Sequence, residues 1–232
     1  MTYVYHKLNV FNYIRYFFYL AFNWNPVLAC FVIYHELRGE KKYKLHTSGY
    51  NLLKKLIKEG VDISHATMYM PANYFVLEKL FNKLTITPGN NCIVDIGCGK
   101  GRVLIVAAYY GFKKITGVEF SKTFCARANQ IIQSKKSVFP DVTFGIVNQD
   151  AATYIIPDET TTIFLYNPFD EEVMKKVILN IEESLNRKPR SLIVIYVNPQ
   201  AKHLFLQSGF KEIFYCKKLK YLEGCILEKK PG

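Results

Sequence analysis

The sequence predicts an α/β fold in which helices cover both faces of a mostly parallel sheet of seven strands. From Cys92 onward, short apolar segments alternate with segments whose apolar residues recur at helical spacing. The last two apolar segments have no helix between them, which predicts an antiparallel pair at the C-terminal end of the sheet. With 232 residues, 50% of them hydrophobic, the chain can bury one sizeable core and is not typical of a disordered protein.

The N-terminal segment is rich in aromatic residues and carries no charge from residue 16 to residue 34. This length is just enough for a transmembrane helix, and Val27–Cys30 loosely resembles a lipoprotein cleavage site. However, Asn-Trp-Asn-Pro at 23–26 places polar groups and a helix-breaking proline in the middle. The sequence therefore favours two short helices that either cap the domain or lie at a membrane interface, the latter giving peripheral membrane contact through residues 8–34.

Basic and polar residues at 38–48 predict a linker after these helices. The chain is accordingly divided into a helical N-terminal extension, residues 1–46, and a main domain, residues 47–232. Helical spacing returns at Leu52–Ile57, and a further helix is predicted to begin within Tyr69–Tyr74.

The main domain continues as an alternation of strands and helices, with right-handed crossovers expected between the parallel strands. The predicted strands are Cys92–Ile96, Ile115–Phe120, Val142–Val147, Ile163–Tyr166, Ser191–Val197, Glu212–Lys217 and Gly224–Glu228. The predicted helices are Gly101–Gly111, Ser121–Ser134, Asp170–Leu185 and Ala201–Gln207. Ser121 is of a residue type that caps helix N-termini.

Charge and cysteine content limit the partners and the compartment. The net charge is +12 and the lysines are scattered in pairs, which leaves nucleic acid, an anionic membrane surface, an acidic protein and an ordinary basic surface open. The six cysteines form no CxxC pair and no Cys/His cluster with zinc spacing. The sequence therefore predicts a protein of the reducing cytoplasm, without a metal site.

A glycine-rich turn joins the first strand of the sheet to the next helix. Gly97, Gly99 and Gly101 stand at alternate positions, as is typical where a turn is tight and a ligand approaches the backbone. The helix that follows begins with unpaired N–H groups. Arg102 occupies the third-glycine position of the dinucleotide-binding fingerprint, which counts against a nicotinamide or flavin cofactor.

Carboxylates follow the next two strands. Glu119 ends the second strand, 22 residues after Gly97, where a carboxylate can accept hydrogen bonds from both hydroxyls of a ribose. Asp150 follows the third strand, where it could accept a hydrogen bond from an adenine amino group. Each residue also has a structural interpretation, Glu119 as a solvated strand end and Asp150 as a turn or N-cap residue.

Four motifs, in this order, resemble those of the class I methyltransferases, which use S-adenosylmethionine. Val94–Gly101 resembles their first motif, Gly117–Ser121 the second, Gln149–Ala151 the third and Tyr166–Asp170 the fourth. The closing antiparallel pair matches their reversed last strand, and the resemblance covers roughly residues 66–230. It implies a three-layer Rossmann-like sandwich with S-adenosylmethionine as the cofactor.

The resemblance also implies roles for single residues. Gly97 and Gly99 would let the methionine part of the cofactor lie on the backbone, and Asp95 would hold its amino group. Glu119 would bind the ribose, and Asp150 with the N–H that follows it would bind the adenine. The complete set of cofactor-binding residues that the resemblance implies is Asp95, Gly97, Cys98, Gly99, Gly101, Glu119, Phe120, Asp150, Ala151 and Asn167.

The fourth motif is the predicted catalytic segment. The carbonyl oxygens of the Asn167 side chain and of Pro168 could orient the hydrogens of an amine so that its lone pair faces the methyl group. Phe169 could pack on the acceptor or on the cofactor. The segment resembles the Asn-Pro-Pro-Phe/Tyr motif of amino-group methyltransferases but lacks its second proline, which counts against a nucleobase amine. The alternative interpretation is a strand-ending turn with an N-cap at Asp170.

Tyr69 and Pro71 resemble a segment that closes over the methyl group in protein-lysine and small-substrate methyltransferases, and their alternative role is helix packing. Methyl transfer from a sulfonium depends on placing the nucleophile, with neither a metal nor a covalent intermediate. The sequence therefore predicts an N-methyltransferase whose favoured acceptor is a protein lysine. An RNA or DNA methyltransferase and a non-catalytic, membrane-associated regulator that binds S-adenosylmethionine are the alternatives.

Overall fold

The computed structural model describes residues 10–48, 71–166 and 169–231. Within these ranges the helices are α1 (Val10–Asn23), α2 (Pro26–Tyr43), α3 (Tyr74–Phe81), α4 (Arg102–Tyr109), α5 (Lys122–Lys135), α6 (Glu171–Arg187) and α7 (Lys202–Gln207). The strands are β1 (Cys92–Ile96), β2 (Lys114–Glu119), β3 (Thr143–Asn148), β4 (Thr162–Tyr166), β5 (Leu192–Val197), β6 (Lys211–Lys218) and β7 (Leu222–Lys229). A short 3-10 helix, Ala151–Thr153, follows β3.

These strands form one sheet in the order β3-β2-β1-β4-β5-β7-β6. β1 pairs in parallel with both β2 and β4, so the strand order reverses at β1. β7 runs antiparallel to β5 and to β6, which confirms the predicted C-terminal pair. In sheets of this kind ligands bind at the carboxyl ends of the strands, in the crevice where the order reverses.

Two apolar cores, one on each face of the sheet, hold the helices in place. Because side chains alternate along a strand, Ile93 of β1 joins one core and its neighbour Val94 joins the other. The first core includes residues of α3, α4 and α5, and the second includes residues of α6 and α7. The predicted three-layer sandwich is therefore confirmed.

The N-terminal residues form a helical hairpin, as the Asn-Trp-Asn-Pro sequence predicts. Pro26 begins α2, where its missing N–H costs nothing, and the Asn25 side chain accepts a hydrogen bond from the backbone N–H of Leu28 at 2.8 Å. α1 and α2 pack through an apolar cluster that includes Tyr16 and Leu20 of α1. In the ranges that the structure describes, no helix is long and apolar enough to cross a membrane.

The prediction of a linker at residues 38–48 is wrong, because α2 continues to Tyr43. The polar residues at the end of α2 remain helical because they contact the main domain. Glu40 is buried, and Gly39 lies so close to Tyr74 that a Cβ there would overlap with the ring. α3 begins at Tyr74, the last residue of the predicted range, and Asn73 caps it by accepting a hydrogen bond from the backbone N–H of Phe75.

The other predicted helices and strands of the described ranges agree with the observed ones to within two residues at each end, which is the usual uncertainty of a helix or strand boundary. The helical segment predicted at Leu52–Ile57 lies outside the described residues. The division of the chain between residues 46 and 47 stays a prediction.

Candidate functional site

The turn after β1 has a backbone conformation that favours glycine. Gly97, Gly99 and Gly101 have φ angles of 81°, 53° and 81°, in the left-handed region that side chains disfavour. The backbone N–H groups of Gly97 and Cys98 donate to the carbonyl of Val118 in β2, at 2.8 and 3.0 Å. These bonds fix the turn at the carboxyl edge of the sheet, directly before α4.

The Cys98 side chain supports this turn from inside the protein. It is buried, and a Cβ at Gly117 of β2 would lie 2.6 Å from its Sγ atom. Gly117 thus leaves the space that the thiol fills. Burial, together with the charges of Asp95 and Glu119, raises the pKa of the Cys98 thiol well above its usual range, so the thiol stays neutral.

The Glu119 carboxylate lies beside the glycine turn, as its position at the end of β2 predicts. Its two oxygens accept hydrogen bonds from the backbone N–H groups of Gly99, at 3.0 Å, and Ser121, at 2.9 Å. Burial raises the pKa of Glu119, and these hydrogen bonds oppose that effect. Each carboxylate oxygen can accept a second hydrogen bond, so Glu119 can still bind a pair of hydroxyl groups.

Asp95 lies in β1, two residues before the turn. Its side chain is 2% exposed, and its Oδ2 atom has no hydrogen-bond partner among the described residues. Burial, and secondarily the charge of Glu119, raises the pKa of this carboxyl group well above its usual range. A buried polar atom without a partner costs about 1–3 kcal/mol, so such an atom calls for a ligand donor or an ordered water. The amino group of an amino acid is a donor of the required kind.

The end of β3 closes the other side of this crevice. The side-chain amide of Asn148 donates to the backbone carbonyls of Glu119, at 3.0 Å, and Phe120, at 2.8 Å, and so joins the ends of β2 and β3. Asp150 caps the 3-10 helix by accepting a hydrogen bond from the N–H of Ala152 at 2.8 Å. The structural interpretation of Asp150 as an N-cap therefore holds for one of its oxygens. Phe120, which follows Glu119 in the sequence, is 38% exposed.

The predicted catalytic segment follows β4, the strand next to β1. Asn167, Pro168 and Tyr69 lie outside the described residues. Phe169 is half-buried and packs against the core that includes α6 and α7. Asp170 is an N-cap, as the alternative interpretation of this segment has it, since its Oδ1 atom accepts a hydrogen bond from the backbone N–H of Val173 at 3.0 Å.

A cavity of about 500 Å³ lies at the same edge of the sheet. It is bounded by α1, α2, the ends of β4 and β5, and the turn between β6 and β7. The aromatic side chains that line it are Tyr16, Tyr19, Trp24, Tyr166 and Tyr221. The polar and charged residues that line it are Asn73, Asn198, Gln200, Lys220 and Glu223. Its volume suits a small molecule or one side chain of a larger one.

Comparisons with known proteins agree with this geometry. A family model described as a methyltransferase domain matches residues 93–188, which include the glycine turn and the carboxylates after β2 and β3. The chain therefore carries a methyltransferase domain and is similar to the class I S-adenosylmethionine-dependent methyltransferases. It is accordingly an enzyme that transfers methyl groups from this cofactor.

Solved structures share the methyltransferase fold at low sequence identity. A ribosomal protein L11 methylase from Lactobacillus delbrueckii subsp. bulgaricus is 14% identical, with 68% of this chain and 80% of that chain covered and a TM-score of 0.52. A putative methylase from Haemophilus influenzae is 20% identical, with 68% and 89% covered and a TM-score of 0.52. A SAM-dependent methyltransferase from Aquifex aeolicus is 12% identical, with 66% and 88% covered and a TM-score of 0.52. No curated protein sequence matches the chain significantly.

In this methyltransferase the residue after the glycine turn is a buried arginine. The guanidinium group of Arg102 donates to both carboxylate oxygens of Glu36 in α2, at 2.9 and 2.7 Å, and to Glu40 at 3.2 Å. The three side chains are only 3%, 1% and 2% exposed. The N-terminal hairpin is therefore joined to the start of α4 by a buried ion-pair network, here called the Arg102 cluster (Arg102, Glu36 and Glu40).

The Arg102 cluster also reaches the cavity. Arg102 donates to the hydroxyl of Thr47 and to the backbone carbonyl of Ala72, both at 2.8 Å, and its guanidinium carbon lies 4.1 Å from the centre of the Tyr74 ring. Asn73, which lines the cavity, donates to Glu36 at 3.4 Å. Continuous contacts thus run from the glycine turn, through Arg102, to the cavity wall.

The sequence motifs do not predict this cluster. In them Arg102 is only a departure from the dinucleotide fingerprint, and Glu36 and Glu40 belong to no motif. One signal was available, because two glutamates four residues apart lie on the same face of a helix. The linker predicted at residues 38–48 concealed it, since that prediction ends the helix before Glu40.

Proposed function

We propose that this methyltransferase methylates an amine nitrogen, with the side chain of a protein lysine as the acceptor. The observation that carries the proposal is the aromatic cavity, which includes Tyr166, the residue directly before Asn167 and Pro168. Aromatic rings attract an ammonium group through their π faces, and they pack well against the methylene groups of a lysine. The cavity therefore suits a long alkylamine beside the predicted catalytic segment.

A carboxylate in the cavity wall adds to this preference. Burial alone would raise the pKa of Glu223, but hydrogen bonds from the Tyr215 hydroxyl at 2.8 Å and from Lys217, with the charge of Lys217 at 3.0 Å, lower it overall. Glu223 is therefore ionised at neutral pH. A carboxylate in the wall can accept a hydrogen bond from an ammonium group, which supports a lysine acceptor although Lys220 lines the same cavity.

The cofactor contacts that we propose use side-chain oxygens that can accept further hydrogen bonds. Asp95 Oδ2 would accept from the amino group of the cofactor, and Glu119 would accept from the ribose hydroxyls. The left-handed backbone at Gly97 and Gly99 would allow the methionine part to approach the turn closely. Asp150 would accept from the adenine amino group with the oxygen that does not cap the 3-10 helix.

Methyl transfer requires the acceptor nitrogen to lie in line with the methyl group. The cofactor supplies a methyl group on a positively charged sulfur. The carbonyl oxygens of Asn167 and Pro168 would hold the hydrogens of a neutral amine, so that its lone pair points at the methyl carbon. The sulfonium would supply the methyl group and would keep the electron pair of the C–S bond. The aromatic walls would then stabilise the positive charge that passes to nitrogen, until a proton is lost to water.

The acceptor class can be tested with a radiolabelled methyl group and a lysate that lacks the protein. After incubation, the lysate is separated into protein, nucleic-acid, lipid and small-molecule fractions, and we expect the label on lysine residues of protein. Asn167→Ala should lower the labelling about 100-fold while S-adenosylhomocysteine binding changes little, because only acceptor orientation is lost. Label in RNA or DNA would overturn the lysine assignment, and no label despite tight cofactor binding would favour a regulator.

Glu223→Gln tests the cavity directly. The variant keeps the shape of the side chain and removes its charge, so KM for the protein acceptor should rise about 3–10-fold with little change in kcat. Glu212→Gln is a matched control, because Glu212 lies in β6, next to β7, forms a comparable ion pair with Lys202 of α7 at 2.8 Å, and is not one of the cavity residues. Equal effects of the two variants would show that the acceptor does not enter this cavity.

A further inference from the structure

Helix α1 buries one side and exposes an apolar surface on the other. Tyr16 and Leu20 are buried in the cluster shared with α2. The opposite side is formed by large apolar residues that are between 47% and 85% exposed: Val10, Phe11, Ile14, Phe18 and Phe22. Exposed apolar area costs about 25 cal/mol per Å², so a contiguous surface of this kind indicates a partner.

Helix α2 has the same arrangement. Leu28 and Val32 are buried, whereas Val27, Tyr34 and Leu37, on the opposite side, are 65%, 63% and 44% exposed. Since α1 and α2 pack against each other, the exposed side chains of both helices form one surface that faces away from the core. This surface is here called the outer face (Val10, Phe11, Ile14, Phe18, Phe22, Val27, Tyr34 and Leu37).

Lysines lie near the end of the helical hairpin at which α1 turns into α2. Trp24, in the turn between α1 and α2, contacts Tyr221 with ring centres 6.4 Å apart. Tyr221 belongs to the turn between β6 and β7. Lys217 and Lys218 at the end of β6 and Lys220 in the turn are exposed; Lys217 also pairs with Glu223, and Lys220 also borders the cavity. Tryptophan and tyrosine beside lysines are typical of the boundary between the acyl chains and the headgroups of a bilayer.

We propose that the outer face binds the surface of an anionic lipid bilayer, with its phenylalanines at the acyl boundary and the lysines of the β6–β7 turn at the headgroups. Neither described hairpin helix is long and apolar enough to span a membrane, so the hairpin lies along the surface. In an isolated amphipathic helix, a polar face points away from the bilayer. Here the buried sides of α1 and α2 point away from the bilayer instead, and they pack on the rest of the protein. The net charge of +12 complements anionic lipid, whereas an apolar protein partner would not require it.

Vesicle binding of the full chain tests this proposal. The protein is mixed with vesicles of phosphatidylcholine alone or of phosphatidylcholine and phosphatidylglycerol in equal parts, and the bound fraction is measured by sedimentation. We expect binding to the anionic vesicles, weakened by salt. The triple variant F11S/F18S/F22S should bind at least about 100-fold more weakly, because three phenylalanines no longer enter the acyl region.

A matched triple variant controls for the loss of exposed apolar residues in general. Val138, Ile155 and Leu179 are 53%, 71% and 56% exposed and lie outside the hairpin, so V138S/I155S/L179S should bind vesicles like the natural sequence. Retained stabilisation by S-adenosylhomocysteine shows that each variant is folded and tests the cofactor site separately from the lipid surface.

Two results would overturn the proposal. One is the absence of binding to anionic vesicles by the natural sequence, and the other is equal binding by the two triple variants. A dimer in solution that dissociates in F11S/F18S/F22S, with no vesicle binding, would assign the outer face to a second copy of the chain instead.

Discussion

Replacing Arg102 by methionine removes the cation that pairs with two buried carboxylates. Methionine has a similar length and no charge, and the side chains of Arg102, Glu36 and Glu40 are only 3%, 1% and 2% exposed. Removing one partner of a buried ion pair costs about 3–5 kcal/mol, because the remaining charge stays buried without compensation. For a protein of this size, such a loss of unfolding free energy corresponds to a fall in Tm of about 6–20 °C.

Thermal and urea unfolding measure this loss, and two further variants define its origin. Arg187→Met is a matched control, because Arg187 pairs with Asp158 at 2.9 Å while both side chains are 41% exposed. It should cost less than about 1 kcal/mol. The double variant E36M/R102M should cost less than the sum of its single variants by about 1–3 kcal/mol, because removing both partners leaves less uncompensated charge.

The outcomes separate the steps of this reasoning. If R102M loses no more unfolding free energy than R187M, the buried ion pair contributes no more to stability than the exposed one. That result would refute the prediction made from the low exposure of Arg102, Glu36 and Glu40. If the effects of E36M and R102M simply add, the two residues do not interact across α2 and α4, and the contact between hairpin and domain is refuted.

Two predictions concern the cofactor pocket. Glu119→Gln should weaken S-adenosylhomocysteine binding about 10–100-fold by calorimetry, because charge-assisted hydrogen bonds contribute about 1.5–3 kcal/mol, and unchanged affinity would place the ribose elsewhere. Asp95→Asn should weaken cofactor binding and yet stabilise the ligand-free protein by about 1–2 kcal/mol at neutral pH. Because the folded-state pKa of Asp95 is raised, its contribution to stability is present below the unfolded-state pKa and is lost as pH rises through the folded-state pKa. The unfolding free energy that Asp95→Asn adds should therefore increase with pH. Thermal unfolding at several pH values measures it, and an added stability that does not change with pH would contradict this prediction.

Much of the fold could be predicted because local and long-range requirements agree in the main domain. β5, for example, is an uninterrupted apolar segment, Leu192–Val197, as a strand covered on both faces must be. Ser121, predicted as an N-cap, and Asp170, for which an N-cap is the alternative interpretation, both accept the hydrogen bond that defines the cap. The linker prediction failed because the polar residues at the end of α2 satisfy their hydrogen bonds inside the protein, and such partners cannot be read from local sequence.

The candidate cofactor residues could be predicted as a group because they stand at the ends of neighbouring parallel strands. The hydrogen bond from Gly99 to Glu119 joins two of the predicted motifs. The cavity could not be predicted in this way. Its wall combines Tyr16 of α1, Tyr166 of β4 and Tyr221 of the β6–β7 turn, which come together only through tertiary packing.

Arg102 connects these two parts of the site. A glycine at the third position of the fingerprint allows close packing of helix and strand, whereas the arginine here extends from the start of α4 into α2. The residue that counts against a dinucleotide cofactor is therefore the one that attaches the N-terminal hairpin. Since α1 and α2 also supply part of the cavity wall, the hairpin belongs to the proposed acceptor site even where residues 1–46 are counted as an extension. The guanidinium group of Arg102, the residue that follows the glycine turn, thereby holds the hairpin that supplies part of the proposed acceptor wall.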